Sequence, residues 1–309
     1  MASEQHTRRR SSARLLACAL AVAVAGCGSA SQRPSAVALG PNATRYTLRT
    51  PEGRLRSYIV YLPPGGVGKP RPLVLVFHGA GGTAAGTAEE TDFVRVAARN
   101  GLIVAFLQGY EDTWNEGAGN TPAHAAHVND VQFTAAALSA IERRYPIDRR
   151  RIAAAGFSNG ALLTELLGCR LADSLTLIAP VAGPLPVSVS PSCHPARAIS
   201  VLAMHGTADE AIPYDGGRFH GIGGGTTVLS APASVARWAS LDHCAKRRQR
   251  TEAAASTVLE TYSACSERAV VQLRSLQGVG HGWPEDVGTL VATFLAEHPH
   301  APARGGGPK

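Results

Sequence analysis

The chain has no uninterrupted apolar run of about 20 residues, the length a helix needs to cross a bilayer. Its stretch from Leu15 to Ala25 is too short, which argues against a permanent transmembrane anchor. No C-x-x-C pair occurs among the six cysteines, so the usual structural zinc arrangement is missing. The glycine-rich segment His78-Gly79-Ala80-Gly81-Gly82 lacks the Gly-Lys-Ser/Thr ending of a phosphate-cradling loop. The basic clusters Arg149 to Arg151 and Lys246 to Arg250 are not interleaved with aromatics, and they read as solvated surface rather than a nucleic-acid face. There is no internal repeat. Net charge is also modest: the formal +7 falls to +4 once Arg8, Arg9, Arg10 and Arg14 are removed together with Glu4. What remains, 45% apolar and 17% charged, is ordinary globular composition.

The amino terminus reads as an address. Basic residues Arg8 to Arg10 and Arg14 precede the apolar Leu15 to Ala25, the layout of a secretory signal peptide. Val24-Ala25-Gly26-Cys27 resembles the bacterial lipobox, whose cysteine is alkylated by diacylglycerol before cleavage just ahead of it. Residues 1–26 are therefore expected to leave, and Cys27 to carry the lipid. Residues 27–42, rich in Ser, Ala and Pro, read as a tether. This places the protein outside the cell, held on the outer membrane face or released. The Arg8-Arg9 pair fits twin-arginine export poorly.

Export puts the remaining cysteines in an oxidising compartment. Cys169, Cys193, Cys244 and Cys265 allow three pairings. Short loops between neighbouring elements favour Cys169 with Cys193 and Cys244 with Cys265.

Arg45 to Thr50 and Arg54 to Leu62 alternate polar with apolar around Pro51-Glu52-Gly53, which predicts a hairpin at a sheet edge. The pattern then changes to continuous apolar runs: Leu73 to Phe77, Leu102 to Leu107, Arg151 to Gly156, Leu175 to Val181 and Ile199 to Met204. Such runs suit strands buried on both faces. Helical-period stretches separate them, among them Glu89 to Arg99, Val131 to Tyr145 and Ala161 to Leu167. The alternation implies one α/β domain over residues 43–298, a mostly parallel sheet with helices on both faces, followed by a frayed tail at 299–309.

Parallel sheets carry chemistry at the carboxyl ends of their strands. After Arg151 to Ala155 comes Gly156-Phe157-Ser158-Asn159-Gly160 and then a helical run, so G-x-S-x-G sits at a strand-to-helix turn. That context makes Ser158 a candidate nucleophile. A serine needs a base, and the base needs a carboxylate. Asp209 follows the strand Ile199 to Met204, with Glu210, Asp215 and Asp242 as substitutes. His281 lies in a Gly-rich loop after the run Val270 to Leu276. Oxyanion donors are expected from the amide of Asn159 and from Gly79 or Ala80. His124 and His127 form H-x-x-H, but no third ligand accompanies them, and no metal or cofactor is expected.

With these residues placed, the chain resembles the polyhydroxybutyrate depolymerase and feruloyl esterase family of α/β-hydrolases, in particular its LpqC-like bacterial lipoprotein branch. The motifs are His78 to Gly82, Thr113-Trp114-Asn115-Glu116-Gly117, Asp130-Val131 with Phe133, and Gly156 to Gly160. They continue with His205-Gly206-Thr207-Ala208-Asp209, Ile212-Pro213-Tyr214, Cys244 with Cys265, and Gly280-His281-Gly282-Trp283-Pro284. The resemblance implies an α/β-hydrolase fold, the triad Ser158, Asp209 and His281, and two disulfides. It also implies Trp114 as a wall of the substrate pocket, with Trp283 and His78 beside it. Members often carry a longer insertion after the His-x-Trp-Pro motif, whereas Glu285 follows directly here and the last helix is expected to begin near Asp286. The activity this implies is hydrolysis of polyester, feruloyl or acetyl-polysaccharide esters by a monomer. An envelope acyltransferase and a non-catalytic wall-binding lipoprotein are the alternatives.

Overall fold

A computed structural model describes residues 40–65, 68–119, 121–221, 224–245, 248–254 and 256–299. The leader 1–26, Cys27 with the tether as far as residue 39, and the tail from residue 300 lie outside the described residues.

The chain opens with β1 (Ala43–Arg49) and β2 (Leu55–Tyr61), antiparallel around Pro51-Glu52-Gly53, with β1 at the sheet edge as its alternation predicts. Then follow β3 (Arg71–Phe77), α1 (Ala84–Glu90), α2 (Phe93–Asn100), β4 (Ile103–Leu107), the single turn α3 (Pro122–Ala125), α4 (Asp130–Arg144), β5 (Ile147–Phe157) and α5 (Asn159–Leu171). Next come β6 (Leu177–Val181), β7 (Ser200–Gly206), the hairpin β8 (Gly217–Gly221) and β9 (Gly224–Val228), and α6 (Ala231–Leu241). β10 (Arg248–Ala254), β11 (Thr257–Tyr262), β12 (Val271–Leu276) and α7 (Val287–Glu297) follow, and short 3-10 turns lie at Ser190–Ser192 and Ser266–Arg268. The main sheet runs β1-β2-β4-β3-β5-β6-β7-β12-β11-β10. Its central stretch from β4 to β12 is parallel, and both flanks are antiparallel. This is the mostly parallel sheet with helices on both faces that the alternating pattern implied, in the α/β-hydrolase arrangement that the resemblance implied.

Strand periodicity assigns side chains to two cores. Leu73, Leu75 and Phe77 of β3 join one core with Phe133 and Ile141 of α4, Leu163 and Leu167 of α5, and Trp238 of α6. Val74 and Val76 point the other way, to Phe93, Val96 and Ala97 of α2 and to Val291, Phe294 and Leu295 of α7. Both faces of the central strands are thus dry, which explains why they read as unbroken apolar runs rather than alternation.

One expectation fails. Glu89 to Arg99 was expected as a single helix, but α1 ends at Glu90 and α2 starts at Phe93. Asp92 sits at the break, and its carboxylate accepts from the amides of Gly288 and Thr289 and from the Thr289 hydroxyl. The helical period continues through the break; the tie to α7 overrides it. α7 itself starts where expected, with Asp286 as its N-cap residue.

Both disulfides have the expected pairing. Cys169 bonds Cys193 and Cys244 bonds Cys265, fastening α5 to the segment before β7 and the end of α6 to the segment before β12.

Candidate active site

Ser158 stands between β5 and α5 with φ 55° and ψ −120°, a left-handed region that costs a non-glycine residue roughly 1–3 kcal/mol. The fold holds it there from both sides. Its amide donates to Val181 of β6 at 2.9 Å. A Cβ on Gly156 would fall 2.1 Å from the Gly160 carbonyl oxygen, and one on Gly160 would fall 2.4 Å from the Phe77 carbonyl oxygen. Each glycine is therefore demanded by a close backbone approach, and the turn leaves the serine Oγ free to project from the sheet edge.

Three loops meet at that Oγ. His281 Nε2 lies 2.9 Å from Ser158 Oγ, and His281 Nδ1 lies 2.7 Å from Asp209 Oδ2. A carboxylate only accepts, so Nδ1 carries the proton and Nε2 is left to accept from the serine hydroxyl. Asp209 is fixed in turn: its Oδ1 accepts from the amides of Ala211 and Ile212, each at 2.9 Å. Its Oδ2 faces a second ring as well, His205 Nε2 at 3.2 Å. That nitrogen also lies 2.9 Å from the Ile212 carbonyl oxygen, so it bears a proton and donates to both. Burial pushes the Asp209 carboxyl up, but the hydrogen bonds from His205, His281 and the Ile212 amide more than offset this and hold it well below the usual carboxylate range. Of the substitutes, Asp242 lies elsewhere, ending α6 and accepting from the Ile199 amide.

A cleft of about 50 Å³ adjoins the serine, lined by Ala80, Glu116, Thr121, Ser158, Asn159, Leu162, Ile212, Phe219 and Gly221. Ala80 borders this cleft and Gly79 does not. Gly79 instead packs beneath the elbow, where a Cβ would come within 2.9 Å of the Phe157 ring. The Asn159 side chain ties the elbow to the Trp114 segment, its Oδ1 accepting from the Trp114 amide at 2.8 Å. That segment is strapped from below by a buried ion pair: Arg56 reaches Asp130 at 2.7 Å, and Asp130 also accepts from the Asn115 amide. The Arg56 guanidinium lies over the Phe133 ring.

The residues expected to touch substrate are placed differently. Trp114 is fully buried, and its indole N–H donates to the His78 carbonyl at 2.8 Å. His78 is buried too: its Nδ1 donates to Gly79 O and its Nε2 accepts from the Gly109 amide. Burial pushes its pKa down to about 4, so the ring is neutral. Neither residue lines the cleft beside Ser158; each bonds to the backbone of neighbouring loops instead. Trp283 is half-buried and packs on Phe157, whose ring also lies against His281 with centroids 4.6 Å apart.

Sequence reasoning missed the β8–β9 hairpin that brings Phe219 and Gly221 over the cleft, and it assigned no role to Glu116 or His205. Both of these lie inside quoted motifs, but nothing local in the sequence shows that either one is buried or what it faces.

Comparison with known proteins gives a consistent picture. Residues 56–207 match the family model described as Esterase PHB depolymerase. Feruloyl esterase B of Piromyces equi is 32% identical over 235 residues, 73% of this chain and 42% of that protein. The bifunctional acetylxylan esterase/xylanase XynS20E of Neocallimastix patriciarum is 21% identical over 265 residues, 83% of this chain and 36% of that protein. The chain therefore spans less than half the length of these relatives. Among solved structures, an acetyl xylan esterase from Aspergillus awamori superposes with a TM-score of 0.61 at 12% identity, over 82% of this chain and 99% of that one, a likeness of fold.

Proposed function

We propose, from the match of residues 56–207 to the Esterase PHB depolymerase family model, that the chain is an exported, lipid-anchored serine esterase that cleaves carboxylic esters through an acyl-enzyme. The observation that carries this reading is the continuous hydrogen-bond chain from Ser158 Oγ through His281 to Asp209. His281 takes the hydroxyl proton as Ser158 attacks the ester carbon, and the Asp209 carboxylate stabilises the imidazolium that forms. The developing oxyanion is held by the amide of Asn159 and, from the cleft geometry, by that of Ala80 rather than Gly79. His281 then returns its proton to the departing alcohol. In the second half a water molecule, activated by the same ring, releases the acid. Polyester, feruloyl and acetyl-polysaccharide esters are the substrate classes this reading carries over from its relatives.

The anchor rests on Val24-Ala25-Gly26-Cys27, and export is supported by the two disulfides. Among the described residues no helix is long and apolar enough to cross a membrane; a lipid on Cys27 would hold the protein on a membrane face.

The test is a panel of p-nitrophenyl esters, feruloyl esters and short hydroxybutyrate oligomers, given to the mature protein and to Ser158→Ala. Turnover by the wild type alone, with fluorophosphonate labelling that requires Ser158, is the expected result. Equal turnover by the variant would sink the mechanism. For the anchor, Cys27→Ser should move the protein from the membrane fraction to the medium; retention on membranes contradicts the lipid.

A further inference from the structure

Glu116 is fully buried, and neither of its carboxyl oxygens has a well-formed hydrogen bond among the described residues, although its own amide and the Asn159 side chain lie close enough to favour the ionised form. A buried polar group left unpaired costs roughly 1–3 kcal/mol, and a charged one more, so a fold keeps such a group only where something offsets the cost. Three other buried carboxylates here are at least partly satisfied. Asp130 has Arg56 and the Asn115 amide; Glu165 has the Trp238 indole and the Ser234 hydroxyl; Asp242 has the Ile199 amide. Glu116 differs in its position as well. It borders the same cleft as Ser158 and Asn159, in a segment fixed by Asp130 on one side and Asn159 on the other.

The rest of that cleft has little polarity to offer a ligand. Ala80, Leu162, Ile212 and Phe219 are apolar. The hydroxyl of Thr121 is already committed, donating to the Trp114 carbonyl and accepting from the His124 amide. An apolar pocket with one unpaired, rigidly held polar group is the form of a site that selects a ligand by a single hydrogen bond. We infer that Glu116 is a specificity-determining residue, which pairs with a hydroxyl group on the substrate while the ester carbonyl lies at Ser158. The assignment rests on the esterase reading above. Burial pushes the Glu116 carboxyl up to about 7, opposed by its own backbone amide and by the Asn159 amide, and the nearby Asp130 charge adds to the rise. Near neutral pH it can therefore accept from a hydroxyl when ionised or donate to one when protonated.

The experiment compares matched ester pairs differing only by a hydroxyl: p-nitrophenyl 3-hydroxybutyrate against butyrate, and methyl 4-hydroxycinnamate against cinnamate. Wild-type kcat/KM should favour the hydroxylated member of at least one pair by about ten- to a hundredfold, the range of one hydrogen bond to a charged or buried group. Glu116→Leu should abolish that preference, the hydroxylated ester losing about ten- to a hundredfold more kcat/KM than the plain one. Glu116→Gln, which keeps size and some hydrogen-bonding capacity, should confine any loss to the hydroxylated member. Wild-type activity with no preference in either pair overturns the inference alone. So does a loss shared equally by both members of a pair in either variant, which is what a merely structural role would give. A wild type inactive on all four esters and unlabelled by fluorophosphonate refutes the esterase reading, and this inference with it.

Discussion

Asp209→Asn isolates the reasoning about the triad, because the two oxygens of Asp209 are held by different kinds of donor. Oδ1 accepts from two backbone amides, Ala211 and Ile212, which cannot change their protonation. In the variant the amide oxygen must therefore occupy the Oδ1 position, and the NH2 group must take the place of Oδ2. There it confronts His281 Nδ1 at 2.7 Å and His205 Nε2 at 3.2 Å. His281 can relieve the clash by moving its proton to Nε2, which leaves a donor pointing at Ser158 Oγ and no base to accept the hydroxyl proton. His205 cannot follow without losing its bond to the Ile212 carbonyl. Two effects of different size are expected. kcat on p-nitrophenyl butyrate at pH 7.5 should fall by about 10³- to 10⁴-fold, the scale of a wrong histidine tautomer. Urea unfolding should show a smaller loss of about 1–3 kcal/mol from the unsatisfied buried donors around His205. A variant that retains kcat within tenfold of wild type refutes the claim that the Asp209 carboxylate sets the tautomer of His281.

Three further perturbations test the frame around the site. Gly160→Ala places its Cβ 2.4 Å from the Phe77 carbonyl and 2.5 Å from that of His78; it should cost about 2 kcal/mol despite the better helix propensity of alanine, and an unchanged urea midpoint would contradict the close approach. Cys169→Ser with Cys193→Ser opens a crosslink of sequence separation 24, which should cost about 3 kcal/mol; equal stability of this double variant and the oxidised wild type would refute the contribution. Glu165 has its carboxyl pushed up to about 7 by burial, against the Trp238 and Ser234 hydrogen bonds. The unfolded chain ionises it near its ordinary 4.5, so the folded state holds the extra proton between those values and wild-type stability carries a term that falls as pH rises through that window. Glu165→Gln should remove that term, so its stability relative to wild type should rise from pH 5 to pH 8; a pH-independent difference between the two would show that Glu165 is ionised in the fold.

The sequence revealed most where one physical demand acts alone. Leu73 to Phe77 is apolar at every position because both faces of β3 are covered, and a continuous run has no competing reading at the centre of an α/β sheet. The elbow was legible because only glycine fits at Gly156 and Gly160, so the steric constraint is written directly into the pentapeptide. Legibility ended where a distant contact decides. The period of Glu89 to Arg99 continues unbroken through Asp92, and only the amides of α7, almost 200 residues away, turn that position into a break. The hairpin of β8 and β9 has too many glycines for alternation to show, although it delivers Phe219 to the cleft. His78 and Trp114 show a related limit. Lying in or beside the glycine-rich segment His78 to Gly82 and within a shared motif, they read as pocket walls, but a ring whose polar atoms all bond to backbone is already fully employed in holding loops together. Glu116 and His205 are the converse. Each sits among residues picked out for other reasons, and its chemistry depends on what lies opposite: for His205 the second lone-pair region of Asp209, for Glu116 no well-formed hydrogen bond among the described residues. A motif therefore identifies the residues that must be present near the chemistry. Unpaired polar atoms mark where bonding capacity remains: Trp114 and His78 have spent theirs on backbone, whereas the Glu116 carboxylate bordering the Ser158 cleft and the Trp283 indole N–H packed on Phe157 have not.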